Sequence, residues 1–138
     1  MADTRSITPF LMFQNGSAEE AMNFYVELFD GATVFVDRYG QETPEMDGKI
    51  RLATFAIANQ QVNIIDSSVQ HQFDFTPSMS LFIRVGSAEE FDHLWEGLAS
   101  GGQALMPKGD YGFGTFGWVN DRYGVSWQLN VEAAASAN

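Results

Sequence analysis

Gly16-Ser-Ala-Glu-Glu20 and Gly86-Ser-Ala-Glu-Glu90 are one pentapeptide written twice, a step of 70 residues in a chain of 138. The register holds beyond the match. Leu11 falls on Leu81, Tyr25 on Trp95, Leu28 on Leu98 and Gly31 on Gly101. A chance match would not keep helix core positions and a closing glycine in step. Such self-similarity means that one supersecondary unit is used twice, and this decides the fold before any single element is read.

Each copy reads alike. Ser17 with Glu20, and Ser87 with Glu90, have the spacing of a capping box, which satisfies the free amides at a helix start. Ala21, Tyr25, Leu28 and Phe29 then recur at helical spacing, as do Phe91, Leu94, Trp95 and Leu98. Gly31 and Gly101 stand where a left-handed C-terminal cap is expected. A strand precedes each helix, at residues 7–13 and 79–85. Three follow each, at 33–39, 50–57 and 61–66, then at 103–108, 115–120 and 125–130. Asn59-Gln60 and Arg122-Tyr-Gly124 supply hairpin turns. Residues 41–48 and 69–77 read as loops, and 133–138 as a frayed tail. The expected fold is α+β: tandem βαβββ repeats forming paired half-barrels. It is a single domain over 1–138 with modules at about 5–68 and about 77–131. A half-barrel carries its helix on the convex face and leaves the concave face open. Two copies, in one chain or across a dimer, are expected to enclose a cavity.

Bulk composition narrows the function. With no cysteine, disulfides, thiolate metal sites and cysteine nucleophiles are excluded. The opening Met-Ala-Asp-Thr-Arg-Ser has no apolar signal core and no stretch reaches membrane-spanning length, so a cytoplasmic protein is expected. A net charge of −11 repels phosphate backbones and anionic headgroups, which argues against nucleic acid and membrane partners. The same acidity keeps such a protein soluble.

Strand parity then selects the cavity residues. Val125, Trp127 and Leu129 share an apolar face suited to lie under a helix, leaving Ser126, Gln128 and Asn130 on the concave side. In the first strand Leu11 and Phe13 follow the apolar rhythm, so Thr8, Phe10 and Met12 are concave. The repeat step assigns Ser78, Ser80 and Phe82 to the matching places in the fifth strand. Asn63 or Ile65 takes that part in the fourth. A few polar groups among Phe and Met suit a small-molecule ligand.

Several runs also carry a family resemblance. They are Ile7-Thr-Pro-Phe-Leu-Met-Phe13, Ala18-Glu-Glu-Ala-Met-Asn-Phe-Tyr25, Asp37-Arg-Tyr-Gly40, Asp92-His-Leu-Trp95 and Gly117-Trp-Val-Asn-Asp-Arg-Tyr-Gly-Val-Ser-Trp-Gln128. Across nearly the whole chain they resemble the PhnB-like branch of the vicinal oxygen chelate superfamily, which includes glyoxalase, bleomycin resistance proteins and dioxygenases. Proteins of this branch are often labelled 3-demethylubiquinone-9 3-methyltransferase-like. A conventional S-adenosylmethionine methyltransferase needs a glycine-rich turn between a strand and a helix of a doubly wound sheet. Gly112-Phe-Gly114 lies instead between strands, so the sequence does not support methyl transfer.

The resemblance also implies where a metal would sit. Metal-dependent members place His and Glu on the first, fourth, fifth and eighth strands to polarise two neighbouring substrate oxygens. Here those places fall on Thr8, Asn63 or Ile65, Ser78 and Gln128, none a carboxylate or imidazole. His71 falls in a linker and His93 on a helix. The Ser-Ala-Glu-Glu serines read as caps rather than nucleophiles, Asp121 and Arg122 as turn stabilisers, and Asp37 and Glu42 as a solvated face. The resulting expectation is a homodimer that binds a small apolar or aromatic molecule between its modules, with no metal or other cofactor. Sequestration of a toxic compound, as in the antibiotic-resistance relatives, is one form of this. A lyase, isomerase or dioxygenase with an atypical metal site is the competing class.

Overall fold

Each copy of the repeat folds into a four-stranded mixed sheet with a helix on one face. The computed structural model describes residues 2–132, so the tail expected at 133–138 lies outside them. Contacts divide the chain into two units, Met1–Asp74 and Phe75–Asn138. The first holds β1 (Phe10–Phe13), α1 (Ala18–Leu28), β2 (Ala32–Arg38), β3 (Ile50–Ile57) and β4 (Gln60–Asp66). The second holds β5 (Leu81–Val85), α2 (Ala88–Ala99), β6 (Gln103–Asp110), β7 (Thr115–Asn120) and β8 (Ser126–Val131). Strand order is β1-β4-β3-β2 in one sheet and β5-β8-β7-β6 in the other. The first strand of each pairs parallel with the last, and the other pairs are antiparallel. This is the α+β, twice-βαβββ fold expected from the repeat.

Alternation along the strands decides which face each helix covers. In the first unit Ala18, Ala21, Met22 and Tyr25 of α1 are buried, as are Ala53, Phe55 and Ile57 of β3 and Val62 and Ile64 of β4. Tyr25 stacks on Phe55 with ring centroids 5.9 Å apart. In the second unit Phe91, Leu94 and Leu98 are buried, with Val119, Trp127 and Leu129 from β7 and β8. Fully burying a large apolar side chain of this kind stabilises by about 1.5–3 kcal/mol, so these stripes carry the fold.

The two helix starts differ. Ser87 caps α2 as expected, accepting a bond from the Glu90 amide at 3.1 Å. Ser17 does not cap α1. Its hydroxyl turns to Asn15, and the Ala18 amide donates instead to Asp66 Oδ1 at 2.9 Å. Asp66, only 1% exposed, also accepts from the Ile50 amide at 3.0 Å. A buried carboxylate on β4 thus replaces the local cap and ties helix to sheet.

The helix ends correct the repeat register by one residue. Gly101 is left-handed (φ +75) as expected, but in the first unit Asp30 takes that conformation (φ 52). Gly31 is a glycine for another reason: a Cβ there would lie 2.2 Å from the Ala56 carbonyl oxygen. Its counterpart is Gly102, where a Cβ would lie 2.1 Å from the Asn120 carbonyl oxygen. α2 is one residue longer than α1, so the step becomes 71 after it.

Strand limits and turns also shift. β1 and β5 begin at Phe10 and Leu81, which leaves Thr8 before the first strand and Ser78 in a turn. The β3–β4 hairpin turns on Ala58 and Asn59, both at positive φ, one residue earlier than expected. The 41–48 loop contains a 3-10 turn over Pro44–Met46 that buries Met46.

Candidate functional site

The face of each sheet opposite its helix is where exposed aromatic rings gather. In the first unit, register places Phe10 beside Asn63, Met12 beside Ile65, and Thr54 between Asn63 and Phe35. Thr54 Oγ1 donates to Asn63 Oδ1 at 2.7 Å, while Phe10 and Phe35 are 55% and 50% exposed. In the second unit, register places Phe82 and Trp118 on either side of Gln128, with Ser126 one alternation away. Ser126 Oγ accepts from the Trp118 indole N–H at 2.8 Å and lies 2.9 Å from Ser80 Oγ. Gln128 Nε2 lies 3.3 Å from the same Ser80 oxygen. Ser126 is buried, Gln128 and Ser80 are half-buried, and Phe82 is 56% exposed.

Register shifts interrupt the β2–β3 and β6–β7 pairings at two places each, and the first in each pairing is a bulge that recurs between the units. Val34 is an extra residue against β3, and Leu105, 71 residues later, is an extra residue against β7. Each bulge resets the parity of its strand, bringing Phe35 opposite Thr54 and Met106 opposite Trp118. Farther along the second sheet, Asn130 donates to the carbonyls of Phe113 and Thr115 and so pins the preceding loop. Phe113 and Tyr111 there pack edge-on against Phe116.

The two faces have diverged. Pairing makes Phe10, Met12 and Ile65 the counterparts of Ser80, Phe82 and Gln128. Hydrogen-bonding groups are therefore concentrated in the second unit, whereas the first is mainly apolar.

The family model described as 3-demethylubiquinone-9 3-methyltransferase matches residues 5–130. The chain belongs to this family, the PhnB-like branch of the vicinal oxygen chelate superfamily. A PhnB protein from Bacillus cereus is 49% identical, the alignment covering 92% of this chain and 99% of that one at a TM-score of 0.87. A glyoxylase/bleomycin resistance/dioxygenase domain from Frankia sp. EAN1pec is 15% identical, covering 98% and 96% at a TM-score of 0.70. The fosfomycin resistance protein FosX from Listeria monocytogenes, solved with Mn(II) and sulfate, is 16% identical, covering 97% and 94% at 0.64. At such identities the last two show the fold alone. No curated protein matches the chain.

The side chains at the places where the resemblance puts a metal do not suit a divalent ion. Asn63, Ile65 and Gln128 offer at most neutral amide oxygens, and Ser78 bonds Thr76 in its turn at 2.7 Å. Among the described residues no three His, Asp or Glu side chains are grouped to hold a metal. Among the described residues, the one carboxylate that strand register puts on the open face, Asp37, is engaged by Arg51 at 2.9 and 3.1 Å. That guanidinium lowers the Asp37 pKa, which keeps it ionised and a weak proton acceptor. His71 stacks on Phe73 at 4.9 Å within its loop.

Of the side chains expected to line a site, the second unit brings Ser80, Ser126, Gln128 and Phe82 together, and the first gathers Phe10, Met12 and Asn63. Thr8 and Ser78 do not join them, because the strands start later. Trp118 was missed, although alternation from the small Gly117 would have placed it. Phe35 and Met106 carried no such signal, because a bulge has no fixed sequence mark.

Proposed function

We propose that this PhnB-like protein binds a small apolar or aromatic molecule on the open faces of its sheets, without a tightly held metal, and that it acts as a homodimer. The observation that carries the reading is the second unit's Trp118–Ser126–Ser80–Gln128 cluster beside the exposed Phe82 ring. A ring for stacking next to a few fixed polar groups is the composition of a ligand site rather than of a solvated surface. In the first unit Phe10, Met12 and Asn63 form a more apolar face of their own. Methyl transfer has no support from two four-stranded sheets that lack a doubly wound nucleotide-binding topology. Sequestration of a toxic compound is one form that such binding would take.

The test is a thermal-shift screen of benzene- and naphthalene-based compounds, run with EDTA and with added Mn2+ or Zn2+. Stabilisation by a subset of compounds, equal in both conditions, is the expected result. Stabilisation that appears only with metal, or about one equivalent of metal per chain retained through dialysis, would overturn the metal-free reading.

A further inference from the structure

We infer that the ligand of the second unit presents a hydrogen-bond acceptor, a carbonyl-type oxygen on an aromatic or apolar body, to Ser80 and Gln128. This deepens the binding reading above and rests on it. The inference comes from counting protons along the cluster. An indole N–H can only donate, so the bond from Trp118 to Ser126 Oγ has a fixed direction. Ser126 is 3% exposed, and the acceptor shown within reach of its own proton is Ser80 Oγ, at 2.9 Å. Ser126 therefore donates to Ser80. Ser80 Oγ, now an acceptor, still has its own proton to give.

The Gln128 amide closes the count in either orientation. With Nε2 toward Ser80, at 3.3 Å, the serine proton is left for the ligand. With the amide turned over, Ser80 donates to the amide oxygen, and the Gln128 N–H2 becomes the outward donor. Each arrangement ends the chain on a donor at the half-buried end of the relay, next to Phe82. Successive bonds running one way also polarise one another, which strengthens that last donor. An acceptor-bearing ring stacked on Phe82 completes the chain, whereas a ligand without an acceptor leaves that last donor unpaired.

The test uses two naphthalenes of similar size, 2-acetylnaphthalene and 2-ethylnaphthalene, titrated into 15N-labelled protein. The expected result is about five- to tenfold tighter binding of the acetyl compound. The Trp118 indole N–H resonance should shift with it, while that of Trp127, which donates to Asp121 at 2.8 Å, should stay in place. The double substitution Ser80→Ala with Gln128→Leu should bring the affinity for the acetyl compound down to that for the ethyl one. Equal affinities in the wild-type protein, or a preference that survives the double substitution, would overturn the acceptor inference alone. Failure of both naphthalenes to bind would overturn the binding reading and this inference with it.

Discussion

Gln128 and Trp127 are neighbours on β8 that point to opposite faces, and they separate binding from stability. Trp127 is 1% exposed under α2, so Trp127→Ala should cost about 3–5 kcal/mol in urea unfolding. Gln128→Leu should leave the fold intact and weaken ligand binding by about 1–3 kcal/mol, because a ligand polar group loses its partner. The opposite pairing of effects would mean that the open face is not the binding face. Simple alternation in the last strand made this parity readable from sequence. Gly117 shows what sequence alone hides. A Cβ there would lie 2.4 Å from the Trp95 ring, so this glycine is fixed by a helix that alternation does not locate.

At the scale of elements, Asp66 does the work assigned to Ser17. Asp66→Ala leaves the Ala18 and Ile50 amides buried without partners and should cost about 2–4 kcal/mol, measured by denaturant unfolding. Asp66→Asn keeps one acceptor oxygen and should cost about half as much. A change below about 0.5 kcal/mol for Asp66→Ala would show that local capping by Ser17 suffices. The capping box was legible as a motif, but whether the serine or a distant carboxylate takes the amides depends on a contact 48 residues away. The same limit applies to the bulges at Val34 and Leu105, which tertiary pairing sets. Between elements, Arg38 holds Glu19 by two bonds and lowers its pKa. A lowered folded-state pKa means that this stabilisation is complete above the ordinary carboxylate range. It is lost as the pH falls through the depressed value. Glu19→Gln should therefore flatten the acid limb of a stability-versus-pH curve and leave its slope near neutrality unchanged. An unchanged acid limb would show that the pair contributes nothing, as is common for exposed ion pairs.

For the molecule as a whole, the repeated pentapeptide carried the fold, because duplication constrains two units at once. The ligand was not legible, since it depends on which side chains of separate strands come within bonding distance. The exposure of Phe10, Phe35 and Phe82, each at least half open, is more than a solitary small domain usually leaves to water. The homodimer proposed above would cover part of it, and light scattering should then give twice the chain mass at micromolar concentrations. A monomer mass throughout that range would contradict the homodimer. The binding claim itself is tested most directly by electron density in crystals of the protein grown with 2-acetylnaphthalene. The expected density lies on the Phe82 ring, with its oxygen within hydrogen-bonding distance of Ser80 or Gln128. Density confined to another surface, or an open face still empty at saturating compound, would contradict it.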